Sequence, residues 1–189
     1  ISLGFGLLGS VVSARLKSKF KKYSMMPLSS NLSGAQVAEK MLRDNGITDV
    51  IVQSVPGKLT DHYNPANRTV NLSPEVFQGR SVAAAAVAAH ECGHAVQHAQ
   101  GYAWLQMRSK LVPVVSIASN LMQYVMMAAI VLLATSFGGY VIALAVALQG
   151  ALMIFTLVTL PVEFDASNRA MIYLDESGIA GRRGEEYEG

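Results

Sequence analysis

From Leu111 to Val162 the chain runs through 52 consecutive residues without one Asp, Glu, Lys, Arg or His. An ordinary soluble domain is about 25% charged, so a gap of this length is not solvated surface. A membrane-spanning helix takes about 20 mostly apolar residues, and the stretch therefore holds two. The break falls at Thr135-Ser136-Phe137-Gly138-Gly139, where paired glycines favour a turn. The sequence predicts a transmembrane hairpin with arms near 112–134 and 140–160. A buried hairpin inside a soluble protein is the alternative, but the remaining ~137 residues are too few to wrap it. The first arm carries Ser116, Ser119, Asn120 and Gln123, which are costly against lipid and suit contact with another helix.

A second uncharged stretch, Ile1 to Ala14, is followed at once by Arg15, Lys17, Lys19, Lys21 and Lys22. The order is that of a membrane helix ending in a basic anchor; a signal peptide has its basic residues first. Fourteen residues make about 21 Å of helix, short of a ~30 Å hydrocarbon core. Because the chain starts with Ile, this segment reads as the end of a longer helix. Lys and Arg beside membrane ends are retained in the cytoplasm, which puts residues 15–110 there. Arg169, Arg182 and Arg183 after the second arm return to the same side, giving three crossings.

Overall charge excludes other classes. Lys+Arg 15 against Asp+Glu 13 gives a net charge of +2, with no basic run interleaved with aromatics, so nucleic acid is not an expected partner. The single cysteine, Cys92, excludes an internal disulfide and any CxxC-type zinc site, leaving histidines and carboxylates as metal donors.

Between the apolar segments lies a polar module. Ser33-Gly34 opens a helical pattern through Ala35, Val37, Ala38, Met41 and Leu42 that closes at Asn45-Gly46. Asp49 to Ser54 reads as a strand, and Leu59–Tyr63 with Thr69–Leu72 as a hairpin around Asn64–Arg68. Ser73-Pro74-Glu75 has the chemistry of a helix start.

One pentapeptide concentrates the chemistry: His90-Glu91-Cys92-Gly93-His94. Residues four apart on a helix are separated by about 40° and ~6 Å, so both imidazoles can reach one metal ion. Glu91 is not placed to ligate the same ion, but it can take a proton from a metal-bound water and pass it to a leaving amine. With 4 His and 8 Glu in the chain, His-Glu-x-x-His arises by composition alone in roughly 0.4% of such sequences. The preceding SVAAAAVAA, Ser81–Ala89, is a strong helix former with a thin face that admits close neighbours.

A catalytic zinc has three protein ligands and one open position. His98 is near in sequence but points about 80° away from His90, which suits a supporting role beside the ligands better than ligation. Glu163, the first charge after the 52-residue gap and two positions past Pro161, is the better third candidate. Asp165 and Arg169, four apart, suit an ordinary helix ion pair; Arg169 is alternatively an oxyanion-stabilising residue. His62, inside Asp61-His62-Tyr63, is either a substrate or transition-state contact or a polar residue at a hairpin edge. Cys92 reads as a small packing residue, and Gly93, a poor helix former, as a point where another segment approaches closely.

HECGHAVQH followed about 70 residues later by LPVEFDASNRA resembles the YugP-like bacterial family of membrane zinc metallopeptidases. LTDHYNP, TVNLS, AAHE and GYAWLQMRSKLVP are similar too, so the resemblance covers most of the chain from residue 15 to about Gly178. More distantly the order resembles membrane gluzincins of the HtpX and CAAX-protease type, whose third ligand is a Glu on a later helix; this implies Glu163 as ligand with His90 and His94. Asp165 stands two residues after Glu163 where that motif has its Asp four on, so the resemblance does not carry the motif's supporting Asp onto it. A longer C-terminal part beyond Glu185–Gly189 is also implied.

The resulting expectation is a mainly α membrane protein, an N-terminal helix plus a hairpin, with a zincin-like α+β cytoplasmic module containing a short sheet and the HExxH helix. Its parts are the end of a transmembrane helix (1–14), a basic juxtamembrane segment (15–32), the zincin-like module (33–110), the hairpin (111–161) and a third-ligand helix with polar C-terminal segment (162–189). The expected function is a multi-pass zinc endopeptidase of the bacterial plasma membrane, one Zn2+ per chain, active site facing the cytoplasm. Its partners are a protein or peptide substrate, the lipid bilayer, and a membrane protein or a second copy. A strand of the module would hold substrate by edge pairing. The competing reading is a noncatalytic, metal-stabilised interaction or scaffold protein, which has no use for the Glu91 base.

Overall fold

A computed structural model describes residues 2–180, with side chains from Ser10 onward. Arg182, Arg183 and the segment Glu185–Gly189 lie outside the described residues. The elements are α1 (Ser2–Ser24), α2 (Gly34–Asp44), β1 (Ile51–Ser54), β2 (His62–Asn64), β3 (Thr69–Leu72), α3 (Pro74–Gln78), α4 (Val82–Ala99), α5 (Ala103–Leu132) and α6 (Gly138–Glu176). They form two compact units: Ile1–Ala99 together with the chain from Ala166 on, and Gln100–Asp165.

In the first unit, α1 carries the basic residues Arg15 to Lys22 on the same helix as the uncharged stretch before them. α2 begins with a capping box: the Ser33 hydroxyl accepts from the Gln36 N–H, and the Gln36 side chain accepts from the Ser33 N–H, satisfying two donors that a helix start leaves open. Its buried face, Val37, Ala38, Met41 and Leu42, packs on α4, whose Ala84, Ala85, Ala88, Ala89 and Cys92 are small enough to let it close in.

The sheet has the order β1-β3-β2. β2 and β3 form the antiparallel hairpin, with Tyr63 opposite Val70, turned by Asn64, whose side chain accepts from the Ala66 N–H. β1 joins β3 from the other side in parallel, Ile51 opposite Thr69. Every residue of β3 is buried, as the middle strand of a sheet covered by helices must be, and the edge strand β2 lies against α4.

In the second unit α5 and α6 are joined by a turn in which Leu132 O accepts from Thr135 N–H and Thr135 O from Gly138 N–H. Covered positions recur on α5 at Leu111, Val115, Ala118, Met122, Val125 and Ala129, and on α6 at Val141, Ala145, Leu148, Leu152 and Phe155. The alternating steps of four and three are the 3.5-residue repeat of a narrow two-helix seam. Away from it the surface is apolar and open, with Ile130, Val131 and Tyr140 each more than three-quarters exposed. Both helices are long and apolar enough to cross a membrane. Ser116, Ser119, Asn120 and Gln123 lie off the seam and exposed.

The sequence reading separates the hairpin, ending at 161, from a third-ligand helix. In the structure the two are one helix: α6 has 39 residues, roughly 58 Å, and includes Pro161. Pro161 removes the backbone bond to Leu157 and crowds its carbonyl, and the helix continues beyond it to Glu176.

Candidate metal centre

α4 carries the HExxH residues, and its neighbours orient them. His90 and His94 stack one turn apart with ring centroids 4.9 Å from each other and planes nearly perpendicular, at 82°. Nδ1 of His94 lies 3.0 Å from Oε1 of Gln97, a side chain with no exposure at all. Nδ1 of His90 lies 3.1 Å from the Ser167 hydroxyl on α6. An oxygen that accepts from Nδ1–H leaves the ring's lone pair on Nε2, the arrangement a metal-binding histidine needs; Gln97 Oε1 is such an acceptor for His94, and the Ser167 hydroxyl is able to accept from His90 in the same way. The donor chemistry therefore fits a divalent ion.

Glu91 is 9% exposed, and one carboxylate oxygen accepts from the Tyr63 backbone N–H of β2 at 3.0 Å. Burial raises its pKa above the ordinary carboxylate value, with nearby Asp61 acting in the same direction; the imidazoles of His94 and His90 and the Tyr63 N–H oppose the rise. Tyr63 acts twice, because its hydroxyl also meets His98 Nδ1 at 2.7 Å. Edge strand β2 is thereby fastened to α4 at Glu91 by main chain and at His98 by side chain.

Gly93 explains itself through α6. A Cβ built on it would lie 2.7 Å from the Ala166 carbonyl oxygen, closer than Cβ atoms approach, and a tight 3.1 Å from the Ala166 Cα. The two backbones touch where the motif has no side chain, and that contact sets Ser167 beside His90. Cys92, on another face of the same turn, is fully buried with its thiol 3.5 Å from the Ala38 carbonyl oxygen; burial pushes its pKa up, as befits a packing residue.

Glu163 stands on α6 one turn before Ser167 and pairs with Arg108 of α5, N···O 3.1 Å. His98 is engaged by Tyr63. His62 is exposed on β2 with both ring nitrogens near sheet groups, Nδ1 at 2.7 Å from Thr60 O and Nε2 at 3.3 Å from Asn71 Nδ2. Asp61, its neighbour, accepts from the backbone and hydroxyl of Ser73 and so fixes the start of α3. Asp165 and Arg169 are half-buried one turn apart on α6. Arg169 lines a cavity of about 190 Å³ with Met41, Val96 and Tyr173; Val96 projects about 200° around α4 from His94.

Sequence reasoning missed Tyr63, Gln97, Ser167 and Arg108 as participants. Gln97 carried a local signal, three residues after His94 on a helix. Arg108 carried a topological one: in an antiparallel hairpin, a charge just before the uncharged run and the first charge after it come to the same level. Tyr63 and Ser167 are distant in sequence from their partners and gave none.

Comparison with known proteins gives two positive findings. The family described as "Putative neutral zinc metallopeptidase" matches residues 1–189. A protein of Bacillus subtilis (strain 168) named "Putative membrane protease YugP" is 42% identical over 165 residues, which is 87% of this chain and 72% of that protein. No solved structure matches.

Proposed function

This chain belongs to the neutral zinc metallopeptidase family, and on that premise we propose that it is a gluzincin-like endopeptidase held in the bacterial plasma membrane, cleaving protein substrates at the cytoplasmic face. His90, His94 and Glu163 hold one zinc ion per chain; they are a two-histidine, one-carboxylate donor set of the kind that binds a divalent metal. Zinc, when bound, supplies a Lewis acid that polarises a carbonyl and acidifies water.

Glu91 does the proton work. Its carboxylate takes a proton from water and returns it to the departing amine, and burial moves its pKa in the direction a base that must also act as an acid requires. Tyr63 N–H keeps the carboxylate in one orientation while this happens. The observation that carries the reading is this buried, tethered carboxylate on the same helix turn as two imidazoles whose Nδ1 atoms each face an oxygen.

α5 and α6 span the bilayer, with α1 as a third crossing, and the basic residues of α1 keep the module in the cytoplasm. The exposed Ser116, Ser119, Asn120 and Gln123 of α5 suit a further helix, from a membrane protein or a second copy.

The test is Glu91→Gln in the full chain purified in detergent. Proteolysis falls by about 100-fold or more while bound zinc is unchanged. Full proteolysis by that variant would sink the enzyme reading and leave the scaffold reading.

A further inference from the structure

We propose that Arg108 is a positioning residue for Glu163: its guanidinium holds one carboxylate oxygen so that the other is presented to the metal. The inference rests on the reading of Glu163 as third ligand.

Arg108 lies in the second turn of α5 and Glu163 near the far end of the hairpin's other arm, and they meet with Nη1 and Oε1 3.1 Å apart. The side chains are 32% and 42% exposed, and an ion pair this open to water contributes little to stability. What it contributes is direction. Both arms carry a proline close to the pair, Pro113 five residues after Arg108 and Pro161 two before Glu163. Each proline removes a helix hydrogen bond and loosens the local axis, so the backbone alone holds Glu163 less firmly than an unbroken helix would. A planar guanidinium reaching across from the other arm restores the constraint at the carboxylate itself, and it does so with a directional fork that an ammonium lacks.

His90 and His94 are oriented in the same manner, by Ser167 and Gln97 at their Nδ1 atoms. Arg108 completes the pattern, so that each of the three ligands has its own partner outside the metal's reach. Losing such a partner weakens metal binding about 10- to 100-fold.

The experiment uses the full chain in detergent, with Zn2+ affinity measured by chelator competition and the visible absorption spectrum of the Co2+-loaded protein recorded for wild type, Glu163→Ala, Arg108→Ala and Arg108→Lys. Thermal unfolding of the metal-free proteins is run alongside. Arg108→Ala is expected to weaken Zn2+ by about 10-fold or more and to alter the Co2+ spectrum, with metal-free unfolding unchanged, and Arg108→Lys to recover part of the affinity. If Arg108→Ala binds Zn2+ within about twofold of wild type while Glu163→Ala loses it, Arg108 is an interfacial ion pair and the proposal fails alone. If Glu163→Ala keeps wild-type affinity, the ligand assignment fails and the proposal with it. A metal-free protein destabilised by Arg108→Ala and by Arg108→Lys alike would assign the arginine to folding instead.

Discussion

The unit built around α4 and the hairpin of α5 and α6 obey opposite rules of burial. Around α4 the apolar side chains are inside, and the few buried polar groups, Glu91, His94 and Gln97, are engaged by specific partners. In the hairpin large apolar side chains point outward, and the exposed serines and amides of α5 stand among them. The chain is the same polymer throughout; what changes is the polarity of the surface each unit presents. Water rewards a polar exterior, and a hydrocarbon layer rewards an apolar one.

The strongest way to break this comparison uses two isoleucines of similar exposure. Ile154, well inside the apolar part of α6, is 62% exposed and Ile51 on β1 is 64% exposed. If lipid surrounds the first and water the second, Ile154→Lys costs about 3–4 kcal/mol in membrane insertion, whereas Ile51→Lys stays within about 0.5 kcal/mol in module stability. A glycosylation-mapped insertion assay and thermal unfolding read the two; equal tolerance would remove the membrane from the account.

The next largest effect sharpens the module's side. Gly93→Ala drives a methyl group against the Ala166 backbone, and overpacking of that kind costs about 1–3 kcal/mol. Unfolding measured by circular dichroism should show it, together with loss of metal as Ser167 withdraws from His90. A neutral result would mean the α4–α6 contact is looser than drawn.

The smallest effect is a pH dependence. Asp44 accepts from Lys40 and from the Tyr173 hydroxyl, and the Lys40 hydrogen bond, followed by that of Tyr173, lowers its pKa. A depressed carboxylate contributes stability above its unfolded-state pKa and loses it as pH falls through the folded value, so the loss sits below about pH 4. Asp44→Asn should flatten that acid limb slightly and leave neutral stability alone; an unchanged acid limb would show the contact carries no linkage.

Much of this architecture was legible because it is written in local patterns. The uncharged run announces two long helices, the Ser33 cap and Asn45 bracket α2, and the Asn64–Arg68 turn implies the β2–β3 hairpin. The spacing of His90, Glu91 and His94 fixes their faces on α4 once a helix is assumed. The site's supports were not legible in the same way. Nothing near Tyr63 says that its N–H will find Glu91 28 residues on, and nothing near Ser167 says that its hydroxyl will meet His90 across 77 residues. The parallel pairing of β1 with β3 is likewise invisible to a reading that pairs neighbours first.

The sequence alone carries whatever depends on composition and short period: the two long apolar helices, the shorter helices and the hairpin, the donor types on α4, and a glycine where something must pass close. What only the tertiary structure decided is which partners those groups receive: Ala166 against Gly93, Ser167 and Gln97 on the histidines, Tyr63 on Glu91, Arg108 on Glu163. Periodicity sets the direction of a side chain about its own axis, but a hydrogen bond reaches only about 3 Å, and bringing two distant segments within that distance takes the packing of the chain.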